Sequence, residues 1–128
     1  MKKPGLAAVK LSTADIRASE TFFRTVFGFE ATHRYGGGAG DPFEEVVMTY
    51  RGGEGMQLKF IQFVGQPAAV TGEATIQIVV DDVDAAVAAA KAEGATDLMP
   101  ATDYPEAQVR MAVIATDQGH AVEVVQTI

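Results

Sequence analysis

The sequence repeats one local pattern, in which an alternating apolar strand is followed by an aspartate, a helical stretch and a glycine. In the first copy Asp15 precedes apolar residues at helical spacing, and Gly28 follows them. In the second copy Asp82 and Gly94 occupy the same places. Aspartate is favoured at the N-cap of a helix and glycine just beyond its C-terminus. Each copy therefore predicts a strand, a capped helix and a sharp end to that helix.

After each helix the apolar period changes from 3.6 toward 2, which is typical of strands. The predicted strands are 30–35, 45–50 and 56–63 in the first half and 97–99, 110–115 and 121–126 in the second. Each half thus has the order β-α-β-β-β. We predict an α+β fold of two βαβββ modules, which form a curved, half-barrel mixed sheet with the helices on its outer face.

Length and charge limit the possible functions. The 128 residues suit one domain, and we predict that 1–128 folds as a single domain made of two modules, 6–64 and 74–127. Ten Lys and Arg against seventeen Asp and Glu give a net charge of −7, which repels nucleic acid and anionic membranes, so neither is expected as a partner. The sequence has no cysteine, which excludes thiolate chemistry. We expect a cytosolic protein, because no apolar run is long enough for a membrane span or a signal peptide.

Two stretches resemble the opening and closing motifs of the vicinal oxygen chelate superfamily. Residues 14–30, ADIRASETFFRTVFGFE, are similar to its opening D-x-x-x-S-x-x-F-Y-x-x-x-L-G-F. Residues 117–126, DQGHAVEVVQ, are similar to its closing D-P-x-G-[HN]-x-I-E-L-x-Q, with Gln118 where proline is usual. This superfamily includes glyoxalase I, extradiol dioxygenases, methylmalonyl-CoA epimerase and the fosfomycin and bleomycin resistance proteins.

The resemblance implies a metal site built from one histidine and one glutamate in each half. In this chain the four positions fall on Ala8, Gln57, Thr75 and Glu123. Only Glu123 is a good ligand, so we expect neither a metal nor another cofactor. Chemistry that needs a Lewis acid would then be lost. Ser12 stands where glyoxalase I has a basic residue for the glutathione moiety, which argues against that substrate.

Period-2 alternation predicts which residues face away from the helices, on the side where a ligand would bind. We predict Glu123 as the catalytic candidate. The predicted ligand-binding residues on the strands are Lys10, Ser12, Gln57, Lys59 and Gln77. Tyr104 and Arg110 flank a loop that covers the cavity in similar proteins, and we predict that they contact the ligand as well.

Lys10 and Lys59 are expected to be lateral neighbours, because the first and fourth strands of such a module lie side by side. Two ammonium groups need a carboxylate or an anionic ligand between them, and we expect Glu123 to share their pocket. The alternative is that both lysines are simply solvated. Glu45, which follows a glycine-rich stretch, is interpreted as part of a solvated edge.

Three functions remain open. The first is a small-molecule binding protein similar to bleomycin resistance proteins, and the net charge suits a cationic ligand. The second is a divergent lyase, isomerase or dioxygenase-like enzyme that uses Glu123 as a general base. The third is an interaction domain without a ligand. For each of them we expect a homodimer, in which a symmetric partner covers apolar edge surface.

Overall fold

The computed structural model describes residues 7–50, 54–67 and 74–128. The chain divides into two compact units, 1–69 and 70–128, each of which is described by itself. Neither helix in the described part of the chain is long and apolar enough to cross a membrane.

Unit 1 contains one helix and a four-stranded mixed sheet. Its elements are β1 Ala8–Ser12, α1 Ile16–Phe27, β2 Glu30–Gly36, β3 Phe43–Tyr50 and β4 Glu54–Phe63. The strand order is β1-β4-β3-β2, in which β1 runs parallel to β4 and the other pairs are antiparallel. The helix α1 packs on β3 and β4.

Unit 2 repeats this topology. Its elements are β5 Thr75–Val79, α2 Val83–Ala92, β6 Thr96–Tyr104, β7 Val109–Ala115 and β8 Ala121–Thr127. The strand order is β5-β8-β7-β6, with β5 parallel to β8. The predicted α+β class and the two β-α-β-β-β modules are therefore confirmed. The prediction that modules 6–64 and 74–127 make up a single domain stays a prediction.

Both helices begin and end where the sequence predicts. Asp15 is extended, and its side chain accepts a hydrogen bond from the backbone N–H of Ala18 at 3.1 Å. Asp82 does the same for the N–H of Ala85, also at 3.1 Å. Gly28 ends α1 with a φ of 77°, a left-handed conformation that costs glycine little. The helix α2 ends one residue differently, with Glu93 as its C-cap and the left-handed Gly94, with a φ of 93°, directly after it.

The core of unit 1 is aromatic. Phe22, Phe23 and Phe27 of α1 are buried, and the ring of Phe23 lies 5.1 Å from that of Phe60 on β4. In unit 2 the helix buries only small side chains, Val83 and Ala90. Each helix covers one face of its own sheet. The side chains that alternate with the core residues along the strands lie on the other face, which we call the open face.

A glutamine on the last strand of each unit holds the start of its helix. In unit 1 Gln62 accepts a hydrogen bond from the N–H of Ile16 and donates one to the carbonyl of Ala14, both at 2.9 Å. In unit 2 Gln126 accepts from the N–H of Val83, also at 2.9 Å. The first N–H groups of a helix have no partner within the helix, so these glutamines satisfy donors that would otherwise be unpaired.

The strand β6 is longer than predicted. The sequence predicts a strand over 97–99, whereas β6 continues through Pro100 to Tyr104. It lies at the edge of its sheet, where the missing N–H of a proline is tolerated, and its register with β7 shifts on both sides of Met99. Residues 105–108 connect β6 to β7, which agrees with the predicted loop between Tyr104 and Arg110.

We expect the substitution Gln62→Ala to destabilise the protein by about 1–2 kcal/mol, because it removes two hydrogen bonds at the start of α1. Urea denaturation followed by circular dichroism measures this difference. The matched control is Gln66→Ala, since Gln66 is exposed and its side chain makes no hydrogen bond to a described residue. Equal midpoints for the two variants would contradict the structural role of Gln62.

Candidate functional site

The two predicted lysines of unit 1 are neighbours on the face of the sheet that α1 leaves open. Lys10 on β1 lies directly opposite Lys59 on β4 in the parallel register. Because Phe60 packs against α1, the preceding Lys59 points to the other face. The predicted lateral pairing is thus confirmed.

The carboxylate that pairs with Lys10 belongs to Glu45 on β3. The Lys10 Nζ atom lies 2.5 Å from the Glu45 Oε1 atom. Glu45 is only 7% exposed, so its interpretation as a solvated edge residue was wrong. It alternates with Val46, which belongs to the core under α1, and therefore shares the open face with the lysines. Lys59 is half-buried and makes no ion pair with any residue in the described ranges.

The other two predicted residues of unit 1 flank the lysine pair. Gln57 lies opposite Ala8, and Ser12 lies opposite Ile61. Both Gln57 and Ser12 are half-buried. The register thus places all four predicted residues of unit 1 on two adjacent strands of one sheet.

In unit 2, Glu123 and Gln77 form a hydrogen-bonded pair. They lie opposite each other on β8 and β5, and the Gln77 Nε2 atom donates to the Glu123 Oε1 atom at 2.6 Å. No cation pairs with Glu123 among the residues that the structure describes. The amide of Gln77 therefore orients the carboxylate and leaves its second oxygen available to another donor.

This pair forms the polar part of a cavity of about 420 Å³ in unit 2. The remaining wall is largely apolar and comes from the end of β6, the following turn, β7 and β8. The lining residues are Gln77, Tyr104, Ala107, Val109, Met111, Glu123 and Val125. Three predicted site residues, Gln77, Tyr104 and Glu123, are thus brought together. Val109 and Met111 were missed, although their alternation with Arg110 could have indicated a shared face.

Arg110 lies on the opposite face of the same sheet. Its guanidinium forms ion pairs with Asp84 of α2 at 3.0 Å and with Asp103 of β6 at 3.1 Å. The hydrogen bonds to Asp84 and then to Asp103 raise the pKa of Arg110 above its ordinary value. Its neighbours Val109 and Met111 face the cavity, so alternation directs Arg110 toward the helix. Arg110 joins the helix to the sheet, and this placement gives no support to its predicted contact with a ligand.

The two histidines lie outside the cavity of unit 2. His120 is 3% exposed in the turn before β8, and its backbone N–H donates to Thr116 Oγ1 at 3.1 Å. His33 lies on the exposed strand β2, where its ring stacks on that of Tyr35. A second cavity of about 600 Å³ adjoins the glycine-rich β2–β3 turn, and no predicted site residue lines it.

The internal repeat corrects one of the implied metal positions. Glu123 lies three residues before Gln126, the glutamine that caps α2, and Lys59 lies three residues before Gln62, which caps α1. By this criterion the unit 1 counterpart of Glu123 is Lys59, and the assignment to Gln57 was wrong. The registers agree, because Lys10 is paired with Lys59 as Gln77 is with Glu123.

The donor atoms at the implied positions do not fit a divalent metal. The side chain of Ala8 has no ligand atom, Lys59 has an ammonium group with donors and no acceptor, and Thr75 offers only a neutral hydroxyl. Among the residues described, no group of three or more His, Asp or Glu side chains is placed to hold a metal ion. Glu123 would remain as a single carboxylate ligand.

We expect Met111→Trp to change stability by less than about 1 kcal/mol, because the cavity has room for a larger side chain. The adjacent Ala112 is 1% exposed and lies on the helix side, so Ala112→Trp should cost about 3 kcal/mol or more through overpacking. Urea denaturation of both variants measures the difference. A similar loss in the two variants would show that the space beside Met111 is not a cavity in solution.

Solved structures share this fold. The glyoxalase family protein of Bacillus cereus has a TM-score of 0.82 at 18% identity, over 100% of this chain and 97% of that one. The fosfomycin resistance protein FosX of Mesorhizobium loti has a TM-score of 0.73 at 16% identity, over 99% and 94%. A V278E variant of glyoxalase I from Zea mays has a TM-score of 0.74 at 18% identity, over 94% of this chain but 45% of that one, so this chain spans about half its length. At such low sequence identities, the comparison with these structures shows a shared fold and no more. A comparison with curated proteins finds no match.

The family is established by sequence. The profile of the Glyoxalase/Bleomycin resistance protein/Dioxygenase superfamily matches residues 5–124, which is nearly the whole chain. This match confirms the resemblance of the opening and closing motifs, and it covers both β-α-β-β-β units. The protein belongs to the Glyoxalase/Bleomycin resistance protein/Dioxygenase superfamily.

Proposed function

We propose that the protein binds a small molecule in the cavity of unit 2 without the help of a metal. The observation that carries this proposal is the combination of an apolar cavity of about 420 Å³ with one oriented carboxylate, that of Glu123. Ligand sites in proteins are commonly of this kind, mainly apolar with a few placed polar groups. The volume suits a compact organic molecule.

The negative charge of Glu123 in the cavity indicates that the ligand carries a positive charge. Glu123 has one oxygen held by Gln77, and its other oxygen can accept from a donor on the ligand. A hydrogen bond to a carboxylate is stronger when the donor is charged. The net charge of −7 further attracts cations. We therefore propose a ligand with an apolar body and a positively charged nitrogen, placed so that the nitrogen meets Glu123.

The loss of the metal site is part of this proposal. In the position equivalent to Glu123, unit 1 has Lys59, whose ammonium repels a divalent cation. Ala8 and Thr75 replace the two histidines that the family resemblance implies. This donor set supports a binding role over metal-dependent catalysis, which needs a Lewis acid to polarise the substrate.

A second candidate function is that of a metal-independent lyase or isomerase, or a dioxygenase-like enzyme, with Glu123 as a general base. The half-buried position of this carboxylate in an apolar cavity favours it. A general base needs a substrate C–H or O–H proton within reach, whereas a binding site needs only a stable charge pair. Turnover of a bound compound would distinguish the two functions.

We also propose that the protein is a homodimer. In unit 2, Val79, Leu98 and Met99 are large apolar side chains that are 66%, 56% and 42% exposed. Val79 lies on β5 at one edge of the sheet and Leu98 and Met99 lie on β6 at the other, so a symmetric partner that packs on either edge would remove apolar surface from water. Light scattering at micromolar concentration tests this, and a monomer would contradict it. The cytosolic location stays a prediction, which cell fractionation tests.

A single tryptophan can report on the cavity, since the chain has none. We expect 2-phenylethylammonium to change the emission of Tyr104→Trp saturably, and to leave that of Leu98→Trp unchanged, because Leu98 does not line the cavity. The cation should bind more tightly than the neutral 2-phenylethanol by about fivefold or more. If none of these compounds, nor a wider set of aromatic amines, changes the emission of Tyr104→Trp, the proposed binding function is wrong.

Glu123→Gln should abolish the preference for the cation, because it removes the negative charge while keeping the size of the side chain. The matched control is Glu93→Gln, which removes one negative charge at the end of α2, away from the cavity lining. An unchanged preference in Glu123→Gln would show that Glu123 does not contact the ligand nitrogen.

We expect the purified protein to contain far less than one divalent metal ion per chain by elemental analysis, because its donor set does not fit a metal. A ligand that binds the folded state raises the melting temperature. Because we expect no metal to bind, addition of Ni²⁺ or Zn²⁺ should leave the melting temperature unchanged. A stoichiometric metal that is lost in Glu123→Gln would contradict the proposal.

A further inference from the structure

Unit 1 carries two lysines on its open face, where unit 2 has a glutamine and a glutamate. Lys10 and Lys59 are register partners on neighbouring strands, which lie about 4.8 Å apart. Their side chains leave the sheet on the same face, so their ammonium groups occupy the same region. Like charges in lateral positions destabilise a sheet unless something neutralises them.

One of the two charges is neutralised within the unit. Glu45, which is nearly buried, holds Lys10 at 2.5 Å. Lys59 is half-buried and has no carboxylate within ion-pair distance in the described part of the chain. The cluster of Lys10, Lys59 and Glu45 therefore has a net charge of +1. The protein as a whole has a net charge of −7, so the charge of this cluster is opposite in sign to the net charge of the protein.

The fold does not require a cation at this position. In unit 2 the equivalent pair, Gln77 and Glu123, forms its own hydrogen bond of 2.6 Å. The Lys10 and Lys59 pair cannot do so, because an ammonium group has donors and no acceptor. The same topology therefore carries a self-paired glutamine and glutamate in unit 2, whereas in unit 1 Lys59 has no ion-pair partner among the described residues.

We infer that Lys59, together with Lys10, forms an anion-binding site on the open face of unit 1, and that its ligand is a singly charged carboxylate. A monoanion neutralises the net charge of +1, whereas a dianion such as phosphate leaves an excess negative charge next to Glu45. Gln57, two residues before Lys59 on the same face, adds a neutral amide donor. The inference rests on side chains of unit 1 and does not depend on the function proposed for the cavity of unit 2.

The lysines themselves can report on binding. The chain has five lysines, and reductive methylation with ¹³C-formaldehyde labels each of them while keeping the positive charge. Acetate is the probe, because it has too little apolar surface to be held by the cavity of unit 2. At constant ionic strength we expect saturable shifts of the Lys10 and Lys59 signals. Lys91, which is paired with Asp97, serves as the internal reference and should not show them.

Two variants test the assignment of the ligand to Lys59. In Lys59→Met the saturable shift of Lys10 should weaken by about fivefold or more, since the unpaired cation is gone. Lys59→Gln removes the same charge but keeps a polar side chain. The same loss in both variants would assign the effect to the missing charge and not to a folding defect caused by the apolar methionine. The control is Arg17→Met, which removes one positive charge from the exposed side of α1 and should change nothing.

A third variant tests the charge argument by reversing the preference. Glu45→Gln raises the net charge of the cluster to +2, so inorganic phosphate, at a pH where it is a dianion, should gain about fivefold or more relative to acetate. The inference is overturned if Lys10 and Lys59 respond to acetate no more than Lys91 does, which would mean that they are solvated lysines. It is also overturned if Glu45→Gln leaves the phosphate-to-acetate ratio unchanged.

Discussion

The parallel pairing of the first and the last strand is the interaction on which each unit depends. It joins β1 to β4 and β5 to β8, which lie near the two ends of each unit in the sequence. Parallel strands need a long crossover connection, and in each unit this connection begins with a helix. The glutamines Gln62 and Gln126 then tie the start of that helix to the same last strand. The last strand of each unit therefore fixes both the pairing of the first strand and the position of the helix. Because the helix covers one face of the sheet, its position also decides which side chains are buried and which lie on the open face.

This scaffold leaves the chemistry of its open face undetermined. The same pair of positions carries Lys10 and Lys59 in unit 1 and Gln77 and Glu123 in unit 2. The backbone pairing is the same in both, because main-chain hydrogen bonds do not depend on the side chains that leave the sheet. A family that shares this fold can therefore support different chemistries, and function must be argued from the site. The charges proposed for the two ligands, positive for unit 2 and negative for unit 1, follow from the side chains at these positions and not from the backbone.

Charged residues of this protein fall into two groups according to the face they occupy. On the helix side, Arg110 is paired with Asp84 and Asp103, and Arg34 is paired with the buried Glu20 at 2.6 Å. These residues join a helix to its sheet. On the open faces, Lys10 and Glu45 pair within the sheet of unit 1, and Glu123 of unit 2 is held only by an amide among the described residues. Residue type alone does not separate the two groups, since an arginine beside a cavity-lining valine looks like a ligand contact in the sequence.

Local patterns in the sequence determined the repeat, the helix caps Asp15 and Asp82, and the faces of Lys10, Gln77 and Glu123, because capping and alternation act over a few residues. Only the tertiary structure decided which side chains meet. Glu45 is separated from Lys10 by 35 positions, and the register that brings them together is set by pairing across three strands. The same register makes Lys59, not Gln57, the counterpart of Glu123. Pro100 within β6 was also beyond prediction, because its tolerance depends on that strand being an edge, which is a property of the whole sheet.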